Sequence, residues 1–240
     1  MELKILPQNE INLAIKDEIA SLLRRKPNAV LGLATGSSPI GVYDELVKAH
    51  KAGDISFNEV TSFNLDEYIG LTSDHPQSYR YFMNTHLFDH IDILKSKTHI
   101  PSMDKASEDY YETYDNKIKD HGGIDFQILG IGSNGHIAFN EPGTSFDSLT
   151  HTVDLKESTI KDNSRFFNNI SEVPTKAVSM GLKSIMNAKR IVIIITGKNK
   201  ANALQRLMSK EITTDFPASI LHRHPKVTIY ADQEAASLLK

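Results

Sequence analysis

Ile124-Asp-Phe-Gln-Ile-Leu-Gly-Ile-Gly-Ser-Asn-Gly-His-Ile-Ala-Phe-Asn-Glu-Pro-Gly143 is the stretch whose reading decides the fold. Its apolar members Ile124, Phe126, Ile128, Leu129 and Ile131 run almost without a break, as a parallel strand covered on both faces requires. Gly130, Gly132 and Gly135 then let the backbone turn sharply and approach a neighbour closely. Open α/β sheets bind their ligands just past the carboxyl end of such a strand. Here the chain releases Asn134, His136 and Glu141 into one short segment.

The same grammar recurs on both sides of this stretch. Upstream, Leu3 to Leu6 is a short apolar start, and Ile11, Ile15, Ile19, Leu22 and Leu23 recur at the spacing of an amphipathic helix that ends near Pro27. Ala29 to Ala34 reads as a buried strand that runs straight into Thr35-Gly36-Ser37-Ser38-Pro39 and a second helix through Val42, Leu46 and Val47. Ser38 is expected to cap that helix, with Pro39 in its first turn. Amide and hydroxyl groups converging on a helix start suit a phosphate or carboxylate. Val60 to Leu65 is a further strand, ending in the paired carboxylates Asp66 and Glu67; such a pair is more often a plain solvated turn, and otherwise neighbours at this point diverge, one towards a site and the other towards a partner or solvent. Ser78 to Ile91 and Lys105 to His121 are expected helices, with a strand at His99 to Pro101 between them.

Downstream, His151 to Leu155 alternates weakly, and Lys156 to Asn169 is polar and helical in flavour, a composition found both in mobile lids and in plain surface structure. Lys176 to Ala188 is expected to be a helix and Arg190 to Ile195 a buried strand. The strand ends in Thr196-Gly197-Lys198-Asn199-Lys200 and leads to a helix through Ala203, Leu204 and Leu207. This second corner suited to an anion carries two lysines. A short helix over Pro217 to His222, a strand over Lys226 to Tyr230 and a closing helix to Leu239 complete the chain. The alternation predicts a doubly wound, mainly parallel α/β sheet with helices on both faces, in one domain over residues 1–240.

Composition narrows the function. The 240 residues are 40% apolar, enough for a core without staples. There are no cysteines, which excludes disulfides, cysteine-based zinc or iron–sulfur sites and thiol nucleophiles. A net charge of −3 with dispersed basic residues argues against nucleic acid as a partner. The start MELKILPQNE lacks a signal-peptide core and no run approaches the roughly 18 apolar residues of a membrane span, so the expectation is a soluble, cytoplasmic protein without a membrane partner.

Gly130, Gly132 and Gly135 spell G-x-G-x-x-G, but a dinucleotide fingerprint needs a helix behind the glycines to hold the pyrophosphate. Pro142 and Gly143 cut any helix there within two turns; Asp154, at a possible strand, keeps the nicotinamide reading open but weak. Metal ligation by His136 with Glu141, or by His222 with His224, lacks the i, i+4 helical spacing of zincin motifs. No serine stands in a G-x-S-x-G elbow, so acyl transfer has little support. Two anion corners together with Asp66, Glu141 and His136 fit acid–base chemistry on a phosphorylated small molecule better.

LGLATGSSPIGVY, FNLDEYIGL, SYRYFMNTHLF, GIGSNGHIAFNEPG, NSRFF and TGKNKANALQ, in that order, resemble the glucosamine-6-phosphate deaminase family over nearly the whole chain. The resemblance implies a NagB/Rpi-like, modified Rossmann fold. It also implies conversion of glucosamine 6-phosphate and water to fructose 6-phosphate and ammonia, with no metal or organic cofactor. By the same resemblance Asp66 is the carboxylate that moves a proton between C2 and C1, His136 the ring-opening residue, Glu141 its supporting carboxylate, and Asn134 stands where relatives carry aspartate or asparagine. Thr35, Gly36, Ser37, Ser38, Arg165 and Lys200 match the phosphate contacts. Activation by N-acetylglucosamine 6-phosphate is not expected, because His151 and Val153 stand near the positions of the basic residues that regulated members carry and those members have extra residues at the carboxyl terminus. Self-association is left open. A 6-phosphogluconolactonase would share the phosphate corner but has no reason to carry NLDEYIGL and GHIAFNEP together. A non-catalytic sugar-phosphate sensor would be expected to carry a DNA-binding segment.

Overall fold

The computed structural model describes residues 1–101, 110–155, 160, 161, 164, 167 and 169–239; for residues 110–112 it describes the backbone alone. In chain order the elements are β1 (Glu2–Ile5), α1 (Gln8–Arg25), β2 (Val30–Leu33), α2 (Ile40–Lys51), β3 (Thr61–Asn64), β4 (Asp66–Tyr68) and α3 (Tyr79–Met83), which runs into a π-helical turn, Asn84–Phe88. There follow β5 (Thr98–His99), α4 (Tyr110–Asp120), β6 (Phe126–Leu129), β7 (His151–Asp154), β8 (Lys176–Ser179), α5 (Leu182–Met186), β9 (Ile191–Ile195), α6 (Ala201–Met208), a 3-10 helix Pro217–Arg223, β10 (Val227–Ala231) and a last 3-10 turn, Ala235–Leu238.

Seven strands form one sheet in the order β1-β10-β9-β6-β2-β3-β5, and every neighbouring pair is parallel. Every residue of β2, β3, β6, β9 and β10 is buried, so both faces of the sheet are covered, as the unbroken apolar runs require. Burying each of the isoleucines of β9 contributes roughly 1.5–3 kcal/mol. From β2 the chain proceeds to β3 and β5 on one side, and to β6, β9 and β10 on the other. The order therefore reverses between β2 and β6, and the crevice beyond their carboxyl ends is the binding position that doubly wound sheets provide.

A second sheet, β4-β8-β7, is antiparallel and was not legible in the sequence. The expected helix over Lys176 to Ala188 is instead β8 followed by the short α5. Ala177 and Val178 are fully buried between β4 and β7, and a run this short has no period that separates strand from helix. Helix starts only after Gly181, where any side chain would collide with the carbonyls of Ser148 and Leu149. Tyr68, Phe139, Leu155 and Ala177 form a small core of their own on this sheet.

Several element ends also differ from expectation. Pro39, not Ser38, precedes α2, and no side chain caps that helix. The helix expected to reach Ile91 closes through the π-turn at Phe88, and the closing helix is only a 3-10 turn. Of the expected helix from Lys105, the part before Tyr110 lies outside the described residues, as does most of Lys156 to Asn169. Among the described residues, no helix is long and apolar enough to cross a membrane.

Candidate active site

A cleft of about 630 Å³ opens at the switch point. Thr35, Gly36, Ser37 and Ser38 line it from the β2–α2 turn, Asp66 from β4, Gly130, Gly132 and His136 from the loop after β6, and Asn199 and Lys200 from the turn after β9. Four strand ends far apart in sequence thus converge. Asn134 and Glu141 stand behind His136. Arg165 lies outside the described residues.

The loop after β6 is built to present one imidazole. Glu141 Oε1 lies 3.4 Å from His136 Nδ1, Asn134 Nδ2 donates to Glu141 Oε2 at 2.7 Å, and the His136 amide donates to Asn134 Oδ1 at 3.1 Å. A carboxylate on one ring nitrogen fixes the ring and stabilises its charged form, leaving the other edge for the cleft. Asn140, fully buried, donates to the carbonyls of Ile137 and Met180 at 2.9 and 2.8 Å, which pins the turn between His136 and Glu141. Within that turn Ala138 is left-handed at φ 52°, a conformation that costs a non-glycine residue roughly 1–2 kcal/mol. It lines the cleft.

The glycines that mimic a nucleotide fingerprint have another purpose. The His136 ring packs on the bare Cα of Gly132, where a methyl group would overlap the ring, and the Gly132 amide donates to the His136 carbonyl at 2.9 Å. Gly135 sits at φ 88° with the Phe216 ring against it. The spacing makes a seat for histidine, and no helix stands behind it.

Asp66 is governed by different physics. It is 7% exposed, on a strand whose alternation puts Tyr68 on the same face and Glu67 on the other. Burial first, and the Glu67 charge second, push its carboxyl up to about 8. The carboxyl therefore favours its protonated form at neutrality, and a small rise in pH favours ionisation. Glu67 accepts amides at the start of α3 rather than facing the cleft, as expected for diverging neighbours.

The aromatics of Ser78 to Ile91 read as core by their spacing of three and four, and the structure gives Tyr79 and Phe82 a second face on the cleft. Tyr68, Tyr79, Phe139 and Phe167 all line the cleft beside Asp66. Tyr68 and Tyr79 rings lie 5.0 Å apart, and Tyr79 stacks on Phe139 at 6.1 Å. The D-x-Y spacing on a strand was the signal that could have placed Tyr68. His222 and His224 are no part of the site: their Nε2 atoms face the carbonyls of Leu207 and Ala188, each at 2.7 Å. Among the described residues, no cluster of three acidic, histidine or cysteine side chains could hold a metal ion.

This crevice geometry coincides with a family. The chain belongs to the glucosamine-6-phosphate isomerases/6-phosphogluconolactonases, whose family model matches residues 8–230. Within it, the chain is 50% identical over 232 residues to a glucosamine-6-phosphate deaminase of Clostridium perfringens, covering 96% of both chains. It is 53% identical over 218 residues to the enzyme of that name from Thermoanaerobacter pseudethanolicus, covering 90% of this chain and 86% of the relative. A solved monomeric glucosamine-6-phosphate deaminase superposes with a TM-score of 0.96 at 45% identity, over 99% of this chain and 100% of that one. A 6-phosphogluconolactonase from Thermotoga maritima shares the fold at 22% identity, with a TM-score of 0.76 over 96% of this chain and 98% of that one.

Proposed function

We propose that this protein, acting as a single domain, converts glucosamine 6-phosphate and water to fructose 6-phosphate and ammonia. The observation that carries the reading is the joint presence, in one cleft, of a buried carboxyl at Asp66, an imidazole at His136 braced by Glu141, and the Thr35–Ser38 and Lys200 corners. The deaminase relatives at about half identity support the same substrate.

In this reading His136 passes the anomeric hydroxyl proton to the ring oxygen, which opens the sugar. Glu141 and Asn134 hold the imidazole for that exchange. Ionised Asp66 takes the proton from C2 as the C2 ammonium gives one to O1, leaving an enolamine, the amino counterpart of an enediol, and Asp66 then returns its proton to C1. The ketimine so formed adds water at C2 and releases ammonia, which leaves the ketose. Every step is a proton transfer or a hydration, so the chemistry calls for no metal or organic cofactor. The amides and hydroxyls of Thr35 to Ser38, with Lys200 as a point charge, hold the phosphate remote from the bond changes, and Arg165 is proposed to add a two-pronged contact.

The test is simultaneous release of ammonia and fructose 6-phosphate from glucosamine 6-phosphate. Hydrolysis of 6-phosphogluconolactone instead, or binding without turnover, would replace the reading with a lactonase or a sensor.

A further inference from the structure

Behind Asp66 stands a second buried carboxylate to which the proton-transfer scheme gives no task. Glu67 is 6% exposed, and strand alternation turns it away from the face shared by Asp66 and Tyr68. It accepts three backbone amides: Tyr68 at 2.8 Å and Tyr79 at 2.9 Å on Oε1, and Arg80 at 2.9 Å on Oε2. Tyr79 and Arg80 are the first two residues of α3. That helix start already has a neutral cap, since the Ser78 hydroxyl accepts the Tyr81 amide at 3.0 Å. A capped five-residue helix does not need a buried charge, which is costly to desolvate. The placement of Glu67 makes sense through what it joins. One carboxylate ties the strand that carries Asp66 to the helix start that carries Tyr79, and the two rings it brings together lie 5.0 Å apart beside Asp66 in the cleft wall.

We propose that Glu67 is a positioning residue for the reaction, holding Asp66, Tyr68 and Tyr79 in register along one wall of the cleft and keeping its negative charge beside Asp66. This rests on the deaminase reading given above. Among the described residues, the titratable groups beside Asp66 or lining its cleft are Glu67 and Tyr68 on its own strand, Tyr79 from α3, His86 from the π-helical turn, His136 from the loop after β6 and Lys200 from the turn after β9. Of these, Glu67 is the one whose like charge pushes the Asp66 carboxyl up, after burial. Burial pushes the Glu67 carboxyl up, and the three amides and then the Arg80 charge oppose it; the Arg80 guanidinium itself is held elsewhere, donating to the Thr98 hydroxyl and carbonyl at 2.7 and 3.0 Å.

Glu67→Gln tests this. The amide oxygen can still accept from Tyr68 and Tyr79, while its NH2 faces the Arg80 amide, donor against donor. The expected result is a kcat lower by about 10- to 100-fold with KM changed little. The ionisation of Asp66, followed by carbon NMR of its carboxyl and by the pH limb of kcat/KM, should move to lower pH because a neighbouring negative charge is gone. A merely structural cap would lower thermal stability and leave both the titration and kcat per folded molecule where they were, and that outcome overturns the proposal. If Glu67→Gln does not fold, Tyr79→Phe decides, since it keeps every Glu67 hydrogen bond and removes the phenol that Glu67 is argued to place. A fall in kcat of about tenfold or more supports the proposal, and wild-type kcat overturns it. Should the wild-type protein release no ammonia from glucosamine 6-phosphate, the functional reading fails, and the carboxyl titration still tests Glu67 on its own.

Discussion

Asp66 and Asp125 are the same residue at opposite ends of the sheet, and they have opposite fates. Asp125 enters β6 at its amino end, surrounded by partners: Lys26 Nζ at 2.7 Å, Lys189 Nζ at 2.8 Å and the Val30 amide at 2.8 Å. Burial alone would raise its carboxyl, but Lys189, Lys26 and the Val30 amide outweigh it and hold it below the usual carboxylate range. Asp66, past the carboxyl end of β3, has burial and a like charge acting in one direction and is pushed up to about 8. The difference is one of surroundings: lysines on Asp125 make it a tie, while burial and a like charge give Asp66 the proton affinity near working pH that the proposed base requires.

The hardest blow to this contrast comes from Asp66→Asn. It keeps the shape and removes the base, so kcat should fall by roughly 10³-fold or more while KM stays near wild type. In the proposed reading the free enzyme must lose the Asp66 proton to act, so wild-type kcat/KM should rise with pH through about 8. Full turnover in Asp66→Asn, or a flat profile up to pH 9, would remove Asp66 from the mechanism.

Next in size is Gly132→Ala. The added methyl overlaps the His136 ring, so the imidazole must leave its seat beside Glu141. A misplacement of about 1 Å is worth about 10²-fold in rate. The variant should remain folded, since Gly132 is not at positive φ. Steady-state kinetics beside a crystal structure of the variant would check both halves, and an unmoved ring with unchanged kcat would show that the glycine spacing has another purpose.

How much of this was legible depended on whether the signal was local. The parallel sheet could be read because β2, β6 and β9 are buried on both faces and therefore spell apolar runs. Asp66, His136 and Glu141 could be nominated because each follows such a run. The antiparallel sheet could not, since β4 is three residues long and β8 gains its strand state from partners distant in sequence. For the same reason Tyr79 passed as core: its spacing of three and four with Phe82 and Met83 is visible in sequence, and its exposure to a cleft made by other segments is not. Ser38 failed as a cap because good cap chemistry does not oblige a helix to begin there.

Lys200 sharpens the comparison from the substrate's side. It lines the cleft from the turn after β9, where Gly197 takes φ 89° and its amide is held by Asp232 at 2.9 Å. In the proposed reading it meets the phosphate and none of the reacting atoms. Lys200→Ala should therefore raise KM by roughly 10- to 100-fold, the equivalent of one charge-assisted contact, and leave kcat within a factor of a few. A large fall in kcat at saturating substrate would put Lys200 among the groups that act in the transition state.

The smallest expected effect tests the other aspartate. Asp125→Asn removes two ion pairs whose lysines are themselves 36% and 54% exposed, so solvent screens much of the gain and the loss should be about 1 kcal/mol. Turnover per folded molecule should not change. The pH dependence separates the two sites more sharply than the magnitude does. Asp125 has a lowered carboxyl, so its contribution is present above about pH 4 and is lost as pH falls through its folded value; the deficit of Asp125→Asn should shrink on acidification. Asp66 has a raised carboxyl, so the folded protein binds the extra proton between about pH 4 and about 8, and stability falls as pH rises across that window. Asp66→Asn, which carries no charge to desolvate, should gain on the wild type over the same range. Denaturant unfolding at pH 5, 6.5 and 8 reads the Asp66 slope, and unfolding below about pH 4 reads the Asp125 slope. Two slopes of the same sign would mean that the ends of the sheet do not divide the work of folding and chemistry between them.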